Sequence, residues 1–179
     1  LATEQQPLKL LIPHDQILAR IYAVGDKLNH YYQGRELTLV MVMKGSICLT
    51  ADLIRCLTVP CAIEYVQCSS YGARGASRGA LTIAGLDALN LKGKDVLLVD
   101  DIYDSGTTLA AVIEALRVQQ PRSLRTLVLL AKRVSRNTPY MPDDVLFEID
   151  DQFVVGYGLD YKEQYRGLPG VYAFHQELT

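Results

Sequence analysis

The sequence predicts an α/β fold: a central, mainly parallel sheet flanked by helices, with a small C-terminal lobe. Three observations carry this. Leu37–Met43, Val96–Val99 and Leu124–Ala131 are short apolar runs without polar alternation, as in strands covered on both faces. The first two are each followed by a short loop and a segment of helical spacing, the opening of a βαβ unit. The last third holds short strand-like runs without long helices between them. A chain of 179 residues is expected to form a single domain with a real core, residues about 137–179 making the lobe, with the N-terminal arm a candidate addition.

In chain order, residues 1–13 read as an irregular arm ending at Pro13. His14–Tyr32 reads as an amphipathic helix, because Ile17, Ile21, Val24, Leu28 and Tyr32 share one side. Asp15 suits its first turn and Gly34 closes it. Leu37–Met43 is a strand that ends at Lys44-Gly45-Ser46, and Ile47–Leu57 is an apolar helix. Cys61–Ser70 alternates as a strand does, and 70–79, with three glycines and two arginines, reads as a mobile loop. Leu81–Ile83 is a short strand. Leu109–Val118 carries Leu109, Val112, Ile113 and Leu116 at helical spacing and precedes the break at Pro121. Val145–Ile149, Phe153–Tyr157 and Val171–Phe174 read as the short strands of the lobe.

Hydrophobic residues make up 49% and charged residues 21%, with a net charge of −2: a globular chain without the basic excess that nucleic acid attracts. Cys48, Cys56, Cys61 and Cys68 form no C-x-x-C pair, and the three histidines are scattered, which argues against zinc. Reduced, buried thiols and a cytoplasmic protein are expected. With no signal-peptide pattern and no run of eighteen apolar residues, no membrane partner is expected.

The chemistry concentrates in Val96–Leu109, an apolar strand, an acidic turn and a helix start. Asp104-Ser105-Gly106-Thr107-Thr108 places small residues at a helix N-terminus, where free amides, hydroxyls and the helix dipole suit a phosphate monoester. Asp100 and Asp101 would repel a phosphate, so they suit a diol or a Mg²⁺ ion. A ligand with one phosphate, a free ribose diol and a metal-bound leaving group satisfies all three demands. The G-x-x-x-x-G-K-[ST] spacing of a P-loop is absent.

This stretch resembles the phosphoribosyl-pyrophosphate (PRPP) motif of the type I phosphoribosyltransferases. The resemblance extends from residue 37 to 174, in order, through Lys44-Gly45, Ser70-Tyr71, Ala131-Lys132-Arg133, Phe153-Val154-Val155-Gly156-Tyr157 with Asp160, and Arg166. These later matches are similar to the hypoxanthine-guanine branch of that family. The resemblance implies the type I fold with a C-terminal hood and transfer of a 5-phosphoribosyl group from PRPP to hypoxanthine, and to guanine, giving IMP and GMP. It implies Mg²⁺ as cofactor and a homodimer or homotetramer.

By the same resemblance, residues 104–108 hold the 5′-phosphate, and Asp100 and Asp101 the ribose diol or metal. Lys44, Gly45 and Arg166 hold pyrophosphate, with a cis peptide before Lys44. Lys132, Phe153, Val154 and Asp160 contact the purine, and Asp160 also a metal. Ser70 and Tyr71 belong to a lid. Asp104 is the expected catalytic group, accepting the proton lost as the purine ring nitrogen attacks C1′. Lys132 suits the 6-oxo group because an ammonium only donates. Some members carry a lysine where this chain has Thr107. Alternatives are an RNA-binding regulator on the same fold, a receiver-type module, and transfer to another base such as xanthine. The receiver reading is disfavoured because its acids follow the first strand.

Overall fold

The computed structural model describes residues 8–70, 81–136 and 138–174. The elements are β1 (Leu8–Ile12), α1 (His14–Tyr31), β2 (Leu37–Met43), α2 (Ile47–Cys56), β3 (Cys61–Ser70), β4 (Leu81–Ala84), β5 (Asp95–Tyr103), α3 (Thr107–Val118), β6 (Ser123–Lys132), β7 (Asp144–Ile149), β8 (Val154–Val155) and β9 (Val171–Phe174). Six strands form the main sheet in the order β4-β3-β2-β5-β6-β7, parallel except for β4. A second, antiparallel sheet has the order β1-β9-β8.

The lack of alternation in the apolar runs has a direct cause. Leu97 and Val99 of β5 pack with Ile17, Ile21 and Leu28 of α1 and Leu49 and Leu53 of α2. Val96 and Leu98 face the other way, onto Leu109, Val112 and Leu116 of α3. A strand between two helical layers needs apolar residues at every position. Each such side chain contributes about 1.5–3 kcal/mol by burial.

Four readings need correction. The N-terminal arm is not irregular throughout: Leu8–Ile12 pairs with Val171–Phe174, a partner more than 150 residues away that local pattern cannot reveal. Strand β5 does not end at Val99 but runs on to Tyr103, because its register with β6 continues through Asp100↔Val128 and Tyr103↔Ala131. The two acids therefore sit inside the strand, and Gly106, at φ 81°, turns the chain into α3 two residues before Leu109. The segment expected to leave the main sheet at about residue 137 instead supplies its edge strand β7, paired in parallel with β6. Finally, β8 is only Val154–Val155, since Gly156 (φ 95°) and Tyr157 (φ 49°) turn the chain out of extended geometry. The four cysteines are free but half-buried rather than buried. Of the lid pair, Tyr71 lies outside the described residues, and Ser70 ends β3.

Candidate active site

Among the described residues, clefts open at both ends of the main sheet. One, of about 580 Å³, lies at the amino ends of β2, β3 and β5 beside Arg35, Asp95 and Arg122, and contains none of the expected site residues. The other, of about 420 Å³, lies at the carboxyl ends of β2 and β5 and is lined by Lys44, Gly45, Asp100, Asp101, Thr108, Asp160 and Arg166, among others. Open α/β sheets bind ligands outside the carboxyl ends of their strands, so the second cleft is the candidate.

The end of β2 and the carboxyl-terminal part of β5 meet here. The Met43–Lys44 peptide is cis. Asp101 presses against the turn after β2: a Cβ built on Gly45 would lie 1.6 Å from its Oδ2, so only glycine fits. Burial pushes Asp100 well above the usual carboxylate range, reinforced by the charge on Asp101, and burial raises Asp101 as well. Among the described residues no three His, Cys, Asp or Glu side chains form a self-contained metal cage. The donors lining the cleft are nevertheless hard carboxylate oxygens. They fit Mg²⁺, which is held by one or two carboxylates and completes its shell with water and phosphate oxygens.

Past Asp101 the chain forms the small-residue turn. Ser105 Oγ lies 3.1 Å from Thr107 Oγ1, and the Thr107 amide donates weakly to Ser105 Oγ at 3.4 Å. Ala110 donates to the Gly106 carbonyl, which starts the α3 ladder. Apart from the weak Thr107 contact, the first turn of this 12-residue helix has no side-chain cap, and the two hydroxyls lie beside it, an arrangement that suits an anion.

Lys132, at the end of β6, joins this turn. Its Nζ lies 3.1 Å from Asp104 Oδ2 and 3.0 Å from Asp151 Oδ1. Burial pulls the ammonium down, but the hydrogen bonds to Asp151 and Asp104 outweigh it and raise Lys132 above the ordinary lysine value. Asp151 also brings the segment leading to Phe153 beside Lys132. The Phe153 ring is 54% exposed, with one side packed on Phe174 (5.8 Å) and its edge toward Tyr161 (5.6 Å). Val154 is buried in β8. Asp160 and Arg166 pair at 2.9 Å.

Sequence reasoning passed over Asp151, Glu163 and Arg136. The spacing Asp160-x-x-Glu163-x-x-Arg166 was a usable signal for Glu163. Arg136 had none. Its guanidinium donates to the carbonyls of Tyr103 (3.0 Å), Asp104 (2.5 Å) and Lys132, and stacks 4.2 Å from the Tyr103 ring. It thus ties the end of β5 to the end of β6 and sets Asp104 against Lys132. Lysine cannot reproduce a planar fork of donors. Arg136→Lys is expected to lower turnover about tenfold or more while the substrate KM changes less than about twofold, because displacement of reacting groups by about 1 Å is that costly. Steady-state kinetics checks the split, and equal loss in both parameters removes the positioning role.

A mainly parallel sheet with an acidic strand end, a small-residue helix start and an aromatic cluster beside the second sheet is the framework of a phosphoribosyl-transferring enzyme, and the comparisons agree. The phosphoribosyl transferase domain family matches residues 13–162. The chain is 40% identical over 167 residues to the hypoxanthine phosphoribosyltransferase of Salmonella typhimurium, covering 92% of this chain and 93% of that one. It is 37% identical over 166 residues to the hypoxanthine-guanine phosphoribosyltransferase of Aquifex aeolicus, with the same coverage of both. The solved hypoxanthine phosphoribosyltransferase of Trypanosoma cruzi in complex with the product IMP superposes with a TM-score of 0.86 at 34% identity, covering both chains fully. The chain belongs to the phosphoribosyl transferase domain family, in its hypoxanthine(-guanine) phosphoribosyltransferase branch.

Proposed function

We propose that this protein transfers the 5-phosphoribosyl group of PRPP to hypoxanthine, and to guanine, releasing pyrophosphate and forming IMP or GMP in purine salvage. The observation that carries this reading is the Lys132–Asp104 pair at 3.1 Å, set directly before the phosphate-type turn. N7 and O6 are neighbouring atoms on one edge of a 6-oxopurine. An ammonium and a carboxylate side by side match that edge: Lys132 donates to O6 and Asp104 takes the imidazole proton. The amino group of adenine donates there and so cannot accept from the Lys132 ammonium.

In this reading Ser105, Gly106, Thr107 and Thr108 hold the 5′-phosphate. Asp100 and Asp101 face the ribose hydroxyls, and Phe153 covers the base with its exposed side. The backbone of Val154 and Asp160 meets the Watson–Crick edge, where a carbonyl accepts from guanine's amino group and disfavours the oxygen of xanthine. Lys44, Gly45 and Arg166 take pyrophosphate. Asp160 and the Asp100–Asp101 pair are the residues that would hold Mg²⁺, and the bound ion neutralises charge on the leaving group. As positive charge develops on the ribose, the neighbouring carboxylates stabilise it electrostatically. Four free thiols support a reducing, cytoplasmic setting, and no described helix is long and apolar enough to cross a membrane. The second sheet is the natural hood, and self-association as a dimer or tetramer belongs to the same proposal, measurable by sedimentation.

The test is incubation of the purified protein with PRPP, Mg²⁺ and a panel of bases, read by chromatography. IMP and GMP are expected, without AMP or pyrimidine nucleotide. Products formed only from adenine or a pyrimidine overturn the reading. Salt-dependent RNA binding without any nucleotide product favours the regulator instead.

A further inference from the structure

The two cations that the proposed function gives to pyrophosphate share one internal carboxylate. Lys44 Nζ lies 3.0 Å from Glu163 Oε2, and Arg166 Nη2 lies 3.5 Å from the same oxygen. Lys44 and Glu163 are 119 residues apart in sequence and meet across the cleft.

Glu163 is presented by an unusual turn. The Tyr161 amide donates to the Gln164 carbonyl at 3.1 Å, and the Gln164 amide returns a bond of 3.0 Å. Both central residues are left-handed, Lys162 at φ 51° and Glu163 at φ 62°. That is the pattern of a type I′ turn, which asparagine and glycine favour and long side chains do not. Here it aims a carboxylate at Lys44. The turn is also tied to the arginine: the Glu163 amide donates to Asp160 Oδ2 at 2.8 Å, and Asp160 Oδ1 pairs with Arg166 at 2.9 Å. The Lys44 and Glu163 side chains are 49% and 66% exposed, so their contact is weak and easily broken. Arg166 Nε is buried without a partner, which leaves one guanidinium donor unused in this arrangement.

We infer that Glu163 is an internal stand-in for pyrophosphate, holding Lys44 and Arg166 between turnovers, yielding them to the pyrophosphoryl group of PRPP and taking them back as pyrophosphate leaves. The inference rests on the assignment of Lys44 and Arg166 to pyrophosphate. Its consequence is a competition that weakens binding of every pyrophosphoryl ligand but leaves the nucleotide product untouched. A competitor that occupies the binding-competent cations reduces apparent affinity by the fraction it occupies. An ion pair with no such role predicts no change in pyrophosphate affinity when it is removed.

The test is calorimetric titration of the intact protein with magnesium pyrophosphate and, separately, with IMP. Glu163→Gln keeps the size of the side chain and removes its charge. It is expected to bind pyrophosphate about threefold to tenfold more tightly, as loss of two exposed charge pairs allows, with IMP affinity unchanged. Lys44→Met is the control and is expected to weaken pyrophosphate binding. If Lys44→Met weakens it while Glu163→Gln leaves it unchanged or weaker, the stand-in role alone is overturned. If Lys44→Met has no effect, the assignment of Lys44 fails and the inference falls with it.

Discussion

Asp104→Asn lowers kcat by about a hundredfold to a ten-thousandfold while the KM for PRPP stays within about twofold; that range is the usual contribution of a positioned general base. Asparagine keeps the shape of the side chain and the turn behind it. The phosphate groups, the Ser105–Thr107 hydroxyl contact and the Arg136 bond to the residue 104 carbonyl depend on backbone or on other side chains. What disappears is an oxygen able to take a proton. Asp104 suits that task by placement: its side chain is 52% exposed at the start of the turn, and Lys132 holds it at 3.1 Å. Single-turnover measurements are the appropriate check, since they separate the chemical step from product release. An unchanged single-turnover rate removes Asp104 from proton handling.

The second large effect concerns stability and lies at the opposite end of the same strand. Asp95 is wholly buried at the start of β5 and accepts from Ser123 Oγ at 2.6 Å, from Arg35 at 3.5 Å and from Arg122. It pairs in register with Leu37 on one side and Ser123 on the other, so one carboxylate joins three strand starts. The hydrogen bond from Arg122 holds its carboxyl below the ordinary value against the opposing effect of burial, with Ser123 and Arg35 adding to it. Charged hydrogen bonds of this kind contribute about 1.5–3 kcal/mol. Asp95→Asn is therefore expected to lower Tm by about 3–12 °C at neutral pH, at about 2–4 °C per kcal/mol for a chain of this size.

The pH dependence carries a sign. A carboxyl depressed by folding contributes stability that is fully present above its unfolded value of about 4 and is lost as pH falls through the lower folded value. The difference in Tm between wild type and Asp95→Asn should stay constant from about pH 5 to 8 and shrink below about pH 4. Melting curves across that range check it, and a gap that persists at the acid end assigns the loss to packing instead of charge.

The turn at 104–108 was legible as a helix start because consecutive small residues before an apolar helical period are a local device. Lys132 and Arg166 were legible only through their resemblance to relatives, since a lone basic residue at a strand end or in a loop has no local mark. Asp95 was not legible as a hub, because nothing in Lys94-Asp95-Val96 announces two arginines arriving from residues 35 and 122. The length of β5 was underestimated for a related reason: aspartates disfavour strands locally, but pairing with β6 overrides that preference.

By itself the chain determined its buried strands, its helices and the small-residue turn before α3, because periodicity and loop chemistry act over a few neighbouring residues. Only the tertiary structure decided that Leu8–Ile12 joins the second sheet, that Arg136 gathers three carbonyls, and that Glu163 reaches Lys44. Those contacts link distant segments, and their energy exists only once the sheet has brought the strand ends together.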